Sequence, residues 1–356
     1  MQWPLSHDSS VMMSGRTRPR ATLRSWGVAP RSRTQDGRFA LFDLQAALTA
    51  WAYDPVPTIG ACVAALGYVT VWRRVRSSPV AVIRSHAGRG RMICFGAGLL
   101  AIVVAVDGPP DVLSDVSLSA HMIQHLLLQL VAPPLLLLAA PLSLLLRADP
   151  PWLPRRVLVR LLRSRTVRVL SHPATVLGLF TIVLVGSHLT PLYNLALEHE
   201  WLHEIEHVAF FVTALLFWWP AIGVDPAPHR LSYPGRLLYL LLDMPVMAYL
   251  GLAIANSSRI LYPHYAVHLP PWGASALQDQ GVAGTIMWVS GTFTMIPAMA
   301  VVFLRWLDED ARKQARVEAR QAGRAPEAPG ARPADGLPHD PASATAPAPP
   351  FRSAVS

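Results

Sequence analysis

Several histidines of this sequence recur at four-residue intervals in two separate segments. His121 and His125 form a pair, and His199, His203 and His207 form a run of three. Residues four apart on an α-helix lie on one face, about 6 Å from each other, so each set can present two imidazoles to one ion. The spacing therefore predicts a metal site, and imidazole nitrogen is a ligand for zinc, copper, iron and nickel alike.

Two further side chains in nearby apolar segments are candidate ligands. Met122 offers a thioether, which suits Cu(I), and Asp279 offers a carboxylate oxygen. The complete set of candidate metal ligands is His121, His125, His199, His203, His207, Met122 and Asp279. Imidazole ligands must be neutral, so we expect metal binding to weaken as the pH falls toward about 6.5, the ordinary imidazole pKa.

Purely structural roles are the alternative for each of these residues. A single histidine at a membrane boundary more often caps a helix or bonds to a loop carbonyl, and a methionine is commonly a packing residue. A pair of ionisable residues at the start of an apolar segment is costly and usually functional. This argument favours the ligand role for the histidine pairs.

The run of three histidines also contains two overlapping His-Glu-x-x-His patterns, in which Glu200 and Glu204 are the glutamates. In zinc hydrolases the two histidines of this motif bind zinc and the glutamate is the general base. An intramembrane zinc metallohydrolase that uses His199, His203 and His207 is therefore an alternative. The segment is rich in both residue types, so the pattern can arise without such ancestry, and we expect a protein that is not an enzyme.

The composition of the chain indicates a membrane protein. Of its 356 residues, 52% are hydrophobic and 15% are charged, whereas soluble domains carry about 25% charged residues. A span needs about 20 mostly apolar residues, and the stretches that meet or approach this are about 56–74, 91–107, 118–146, 173–195, 201–223, 236–257 and 279–305. The sequence thus predicts an all-α polytopic membrane protein with about seven transmembrane helices.

Proline and charge divide the chain further. The third apolar stretch contains Pro133, Pro134 and Pro141, which predicts a kinked or interrupted helix. We expect a basic disordered tail over residues 1–41, a seven-helix membrane domain over residues 42–306, and a disordered cytoplasmic tail rich in proline and alanine over residues 307–356.

The arginines predict the orientation of the chain in the membrane. They are concentrated in the loops within 73–91, 147–168 and 230–236 and after the last span, whereas the loops 108–117, 196–200 and 258–278 contain only Arg259. The positive-inside rule places the C-terminus in the cytoplasm and, for seven spans, the N-terminus outside. The basic N-terminal tail does not follow this rule. Because the arginines follow membrane topology, the pI near 10.2 does not indicate a nucleic-acid partner.

A resemblance to a known family rests on short motifs spread over residues 42–306. They are His121-Met122-Ile123-Gln124-His125, Ala132-Pro133-Pro134, Trp201-Leu202-His203 with Glu206-His207, Phe217-Trp218-Trp219-Pro220, Leu261-Tyr262-Pro263, and Asp279-Gln280 with Ala283-Gly284 and Ile286-Met287-Trp288. In these motifs the chain resembles the multi-span cytochrome c oxidase assembly factors of the CtaG type found in Bacillus. Ser290 and Ala140 depart from the family pattern, and neither is a candidate ligand.

The resemblance implies an assembly factor of the bacterial cytoplasmic membrane that helps to mature a haem-copper oxidase of the respiratory chain. Its partners would be oxidase subunits and membrane lipid, and copper would be bound or delivered at the outer face. The residues by themselves indicate only an outer histidine cluster, so zinc is the alternative metal. A copper transporter or a haem-binding electron carrier is a further alternative function.

The predicted orientation can be tested with reporter fusions. A reporter fused after residue 155 should lie in the cytoplasm and one fused after residue 265 on the opposite side, because the basic loops alternate with loops nearly free of arginine. Phosphatase and fluorescent reporters should give opposite readings at each position, which provides the control. The same compartment at both positions would contradict the topology.

Overall fold

The structure is a computed structural model in which residues 49, 51–189, 191–270 and 272–322 are described. These residues form helices and loops, and no β-strand occurs among them. The all-α fold class is thereby confirmed. The predicted N-terminal tail over residues 1–41 lies outside the described residues.

The helices follow one another with short connections. In chain order they are α1 Pro55–Arg76, α2 Ala81–Arg84, α3 Arg89–Val106, α4 Pro109–Ser114, α5 Leu118–Leu126, a π-helical turn Leu127–Val131, α6 Ala132–Leu138, α7 Pro141–Ala148, α8 Arg155–Leu162, α9 Arg165–Leu170, α10 Pro173–Leu189, α11 Leu192–Glu198, α12 Glu200–Ile222, α13 Tyr233–Ala255, α14 His264–Val267 and α15 Ala276–Ala322.

The predicted membrane character of the chain is confirmed. Six helical segments in the described part are long and apolar enough to cross a membrane, namely Pro55–Arg76, Ala81–Ser114, Leu118–Ala148, Glu200–Ile222, Tyr233–Ala255 and Ala276–Gln321. The pair Pro173–His188 and Leu192–Glu198 is bent by 68° and would be a seventh span. The predicted stretch 173–195 is therefore two helices rather than one. Pro191, which has no N–H to donate, immediately precedes the second helix.

The third span is interrupted, as its prolines predict. An N–H donates to the carbonyl four residues earlier in an α-helix and five earlier in a π-helix. Pro133 and Pro134 have no N–H, so neither can donate to the carbonyl of Gln129. The indole Nε1–H of Trp218 on α12 donates to that carbonyl instead, at 2.9 Å. At Ala140 the backbone turns left-handed, with φ of 54°, and α7 begins at Pro141.

Two hydrophobic clusters hold the helices together. The larger one draws side chains from α5, α10, α12, α13 and α15, and Phe180 and Phe217 stack within it with ring centroids 4.8 Å apart. The smaller one draws on α1, α3 and α7, where Tyr68 stacks on Phe95 at 3.9 Å. Since α12 packs along the π-helical turn and α6, the larger cluster brings α12 beside the third span.

The last helix is longer than the sequence predicts. We expected disorder from residue 307, but residues 307–322 continue α15. Ion pairs between Arg312 and Asp308 and between Lys313 and Glu309, both 2.9 Å and both four residues apart, lie along this exposed extension. Such pairs contribute about 0.3–0.5 kcal/mol each. The prediction for residues 323–356 lies outside the described residues.

Helices α13 and α15 approach each other through glycine. A Cβ added to Gly284 would lie 2.5 Å from the backbone N of Ala255 and 2.5 Å from the backbone O of Gly251. Neither is the end of a flexible side chain that could move away. Small residues permit this close approach of helices in membrane proteins.

Replacing Gly284 should therefore separate the two helices. We expect Gly284→Ala to destabilise the protein by about 1–3 kcal/mol, the usual penalty for overpacking, and to lower its unfolding temperature in detergent. Gly281→Ala is the matched control on the same helix, because its Cβ would meet its nearest atom at 3.8 Å. Equal unfolding temperatures for both variants would contradict the packing.

Candidate metal centre

The two histidine pairs predicted from the sequence meet in the structure. His121 and His125 project from α5, and His203 and His207 project from α12. One ring nitrogen from each of the four lies within 4.8 Å of the others. His121 and His125 are 0% and 1% exposed and His203 is 6% exposed, so three of these imidazoles are shielded from the surroundings.

The Nε2 atoms form the centre of the cluster. His121 Nε2 lies 2.8 Å from His125 Nε2 and 3.3 Å from His203 Nε2. The ring centroids of His203 and His207 are 4.1 Å apart, as the four-residue spacing on α12 requires. One ring nitrogen of each of the four imidazoles thus lies near those of the other three.

A tyrosine fixes the tautomer of His121. The Tyr265 hydroxyl lies 2.9 Å from the backbone O of Ser114 and 2.9 Å from His121 Nδ1. Burial raises the pKa of Tyr265 well above its ordinary value, so the hydroxyl keeps its proton. Ser114 O can only accept, and both contacts are satisfied when Tyr265 donates to it and His121 Nδ1–H donates to Tyr265. The Nε2 of His121 then carries the lone pair, and His125 donates to it.

His188 of α10 lies beside the cluster. Its ring centroid is 6.1 Å from that of His125. Its Nδ1 lies 2.8 Å from the backbone O of Leu184, which can only accept, so Nδ1 carries the proton. Its Nε2 is buried and has no hydrogen-bond partner among the described residues, and the same is true of His125 Nδ1.

Tyrosines from the neighbouring segments enclose the cluster. The rings of Tyr193 and Tyr262 have centroids 4.4 Å apart, and Tyr193 lies 5.4 Å from His121. The Tyr262 hydroxyl donates to the backbone O of His188 at 2.9 Å. The hydrogen bonds of Tyr262 and Tyr265 thereby hold the segment before α15 against the histidines.

Asp279 holds the helix that carries His121 and His125. Its carboxylate, on α15, accepts hydrogen bonds from the hydroxyls of Ser117 and Ser119 and from the backbone N–H of Ser119. Ser117 is the N-cap of α5 and accepts from the backbone N–H of Ala120. Gln124, between the two histidines, donates to Asp111 at 2.8 Å. The start of α5 is therefore fixed from α4 and α15.

Neither His199 nor Asp279 belongs to the group of four. His199 is exposed and precedes α12 in an extended conformation, with φ of −126° and ψ of 107°. Met122 is buried in the larger hydrophobic cluster. Asp279 is occupied by the serines of α5. The structure thus brings together four of the candidates, and it gives Asp279 a positioning role.

Sequence reasoning did not select Tyr265 or His188. Tyr265 lies in the short helix α14, within a proline-containing connection and 144 residues from His121 along the chain, and no local pattern marks it. His188 lies in an apolar stretch without a histidine four residues away. Its ionisable side chain inside a span was the available signal.

Comparison with known proteins identifies the family of the chain. Residues 66–309, which include all four clustered histidines, match the family described as cytochrome c oxidase caa3 assembly factor (Caa3_CtaG). The chain belongs to this family. The predicted resemblance is thereby confirmed. No solved structure matches the chain.

Proteins similar to this member of the caa3 assembly factor family occur in mycobacteria. The chain is 32% identical over 280 residues to the uncharacterised proteins Mb0105 of Mycobacterium bovis and MT0111 of Mycobacterium tuberculosis, which covers 76% of the chain and 41% of each relative. It is 31% identical over 285 residues to ML1998 of Mycobacterium leprae, which covers 75% and 41%. The chain spans about 41% of the length of these relatives.

The tautomer assignment makes a prediction for Tyr265. In Tyr265→Phe, His121 Nδ1 and Ser114 O lose their shared partner, so His121 is no longer held with its Nε2 lone pair toward the cluster. We expect affinity for Cu(I) or Zn²⁺, measured by competition titration, to fall by about 10–100-fold. Tyr249→Phe, at a 74% exposed position, is the control and should bind like the wild type. Unchanged affinity in Tyr265→Phe would contradict the assignment.

Proposed function

We propose that this caa3 assembly factor binds copper through His121, His125, His203 and His207 and supplies it to a haem-copper oxidase during assembly. Copper is the cargo of the site in this proposal. The observation that carries it is the convergence of four imidazoles, three of them buried, from two helices. Ionisable side chains that are buried in a membrane protein are costly and usually functional, which favours a role in binding for these histidines.

The spacing of the ring nitrogens fits a metal ion. Bonds of about 2.0–2.1 Å in a tetrahedral site place the ligand nitrogens about 3.3–3.4 Å from each other. His121 Nε2 and His203 Nε2 are 3.3 Å apart, and His121 Nε2 and His125 Nε2 are 2.8 Å apart. The second distance is that of a hydrogen bond. For a metal ion to bind there, the Nε2 proton of His125 would move to Nδ1 of the same ring, so that Nε2 offers a lone pair and the imidazole stays neutral. The two Nε2 atoms would then separate by a few tenths of an ångström.

The absence of charged ligands in the site favours monovalent Cu(I) over divalent zinc. All four ligands are neutral when they bind, so the full charge of the ion enters a low-dielectric region. The desolvation penalty rises with the square of the charge and is about fourfold smaller for a monovalent than for a divalent ion. Cu(I) is monovalent, whereas zinc is divalent. The family's association with a haem-copper oxidase supports the same metal.

The proposed site belongs to the outer face of the membrane. The cluster lies at the ends of α5 and α12 that adjoin the loops nearly free of arginine, and the positive-inside rule places those loops outside. Copper taken up there would not have to cross the bilayer before it reaches an oxidase subunit. We infer that docking to an oxidase subunit occurs on this side.

A zinc hydrolase is the second candidate, because His203, Glu204 and His207 form one of the two His-Glu-x-x-His motifs and both histidines are in the cluster. Two features disfavour it. A catalytic zinc keeps one coordination position open for water, whereas four imidazoles can fill a tetrahedral shell. The side chains of Glu200 and Glu204 are exposed, away from the buried ring nitrogens.

Substitution of one histidine in each pair tests the proposal. We expect His121→Ala combined with His203→Ala to lower bound copper by at least about tenfold and to leave the oxidase poorly metallated, while the protein still inserts in the membrane. Metal analysis of the purified protein and the copper content of the oxidase are the measurements.

Two control variants separate the alternatives. His199→Ala removes a neighbouring histidine outside the cluster, and Glu204→Gln removes the glutamate that a hydrolase would need. Both should retain copper and oxidase assembly. Unchanged metal content in the double histidine variant would overturn the copper proposal. A proteolytic activity that disappears in Glu204→Gln would establish the hydrolase instead.

A further inference from the structure

The segment between the third and fourth spans carries a short helix with two different faces. Arg156 and Arg160 on α8 and Arg163 at its C-cap follow one another at spacings of four and three residues, which places them on one side. Val157, Leu158 and Leu161 occupy the other side. This separation of arginine from aliphatic residues is typical of a helix that lies in the plane of the membrane surface.

The apolar side of α8 is only partly used by the protein itself. Leu158 is buried at 5% exposure, whereas Val157 and Leu161 are 51% and 56% exposed. Trp152, just before the helix, is 61% exposed, and tryptophan is enriched where membrane meets water. Since the segment directly follows α7 of the third span, these side chains are positioned to contact lipid.

The arginine side borders an open depression. It has a volume of about 920 Å³ and is lined by Arg155, Arg156, Arg160 and Arg163, with Asp149, Pro154 and Val159. Ligand sites in proteins commonly have volumes of about 300–1,000 Å³. The depression is therefore large enough for the headgroup of a phospholipid.

The charges around this depression are nearly all positive. Within the part of the chain that the structure describes, none of the four arginines forms an ion pair with a carboxylate; the ion pairs found there lie on α15. The one acidic residue, Asp149, accepts from the backbone N–H of Arg155 at 2.7 Å. Arg155 also stands in the first turn of α8, where the helix dipole disfavours a cation and favours an anion.

We propose that α8 and the loop before it bind the phosphate headgroup of an anionic phospholipid. Arginine binds phosphate oxygens through two parallel N–H···O bonds, and several arginines at a membrane surface select anionic lipid. A lipid would contact both sides of the helix, because its phosphate binds the arginines and its acyl chains cover Val157, Leu161 and Trp152. An acidic protein segment or a free phosphate would satisfy only the arginines.

Native mass spectrometry of the full chain, purified in detergent, tests this proposal with phosphatidylglycerol and phosphatidylcholine as probes. The wild type should retain phosphatidylglycerol in preference to phosphatidylcholine. The triple variant Arg156→Gln, Arg160→Gln, Arg163→Gln should bind it at least about tenfold more weakly, since each arginine at a membrane surface contributes several-fold. A triple change to lysine keeps the charge but loses the paired hydrogen bonds, and it should give an intermediate affinity.

A matched control removes three arginines elsewhere. Arg73→Gln, Arg74→Gln, Arg76→Gln changes three exposed residues in the last turn of α1 and alters the net charge equally. It should keep the wild-type preference. Equal losses in the two glutamine variants, or no preference in the wild type, would overturn the site on α8.

A second pair of measurements distinguishes lipid from a free anion. Val157→Ser with Leu161→Ser removes the apolar contact and leaves the arginines in place. It should weaken phosphatidylglycerol binding and leave the binding of inorganic phosphate unchanged. If inorganic phosphate displaces the lipid and the serine variant binds lipid like the wild type, the depression takes a simple anion and the lipid proposal is wrong.

Discussion

The ring nitrogens of a histidine need partners inside an apolar bundle, because an unpaired polar group is costly where no water can replace the partner. The histidine cluster depends on this constraint. Tyr265 accepts from His121 Nδ1 and donates to the backbone O of Ser114, and the Nε2 atoms of His121, His125 and His203 meet one another. The shape of the cluster is therefore in part a solution to burying imidazoles, and it also brings the Nε2 atoms of His121, His125 and His203 close together.

The backbone of the third span obeys the same rule. Its prolines leave the carbonyl of Gln129 without a donor, and the indole N–H of Trp218 replaces the missing one. This bond joins the third span to α12 at a residue four positions after His125. At the start of α5, Asp279 accepts from Ser117 and Ser119 and joins the span to α15. The position of His121 and His125 relative to α12 is thus set from both ends.

The histidines and the arginines lie in different surroundings, for a physical reason. The histidines can be neutral and are tolerated inside the bundle, whereas arginine keeps its charge and stays at the membrane surface. The arginines of α8 consequently remain exposed around an open depression. Cargo binding by the histidines and lipid contact by the arginines would in this way be confined to separate parts of the molecule.

Local sequence patterns predicted much of the fold. Hydropathy identified the spans, the prolines predicted the interruption of the third one, and the four-residue spacing predicted that His121 and His125 share a face. Each of these depends on residues within a few turns of one another. The helical extension after residue 307 was missed, because its low hydropathy resembles that of a disordered tail, while helix-favouring charge pairs hold it.

Spacing alone misplaced His199, because the four-residue rule holds only within a helix. The backbone of His199 is extended and α12 starts after it, so its ring does not continue the row formed by His203 and His207. The meeting of His203 with His121, 82 residues apart in the chain, was decided by the tertiary structure. So was the pairing of Tyr265 with His121, 144 residues apart. Periodicity determines which face a residue occupies, whereas the packing of helices determines what that face meets.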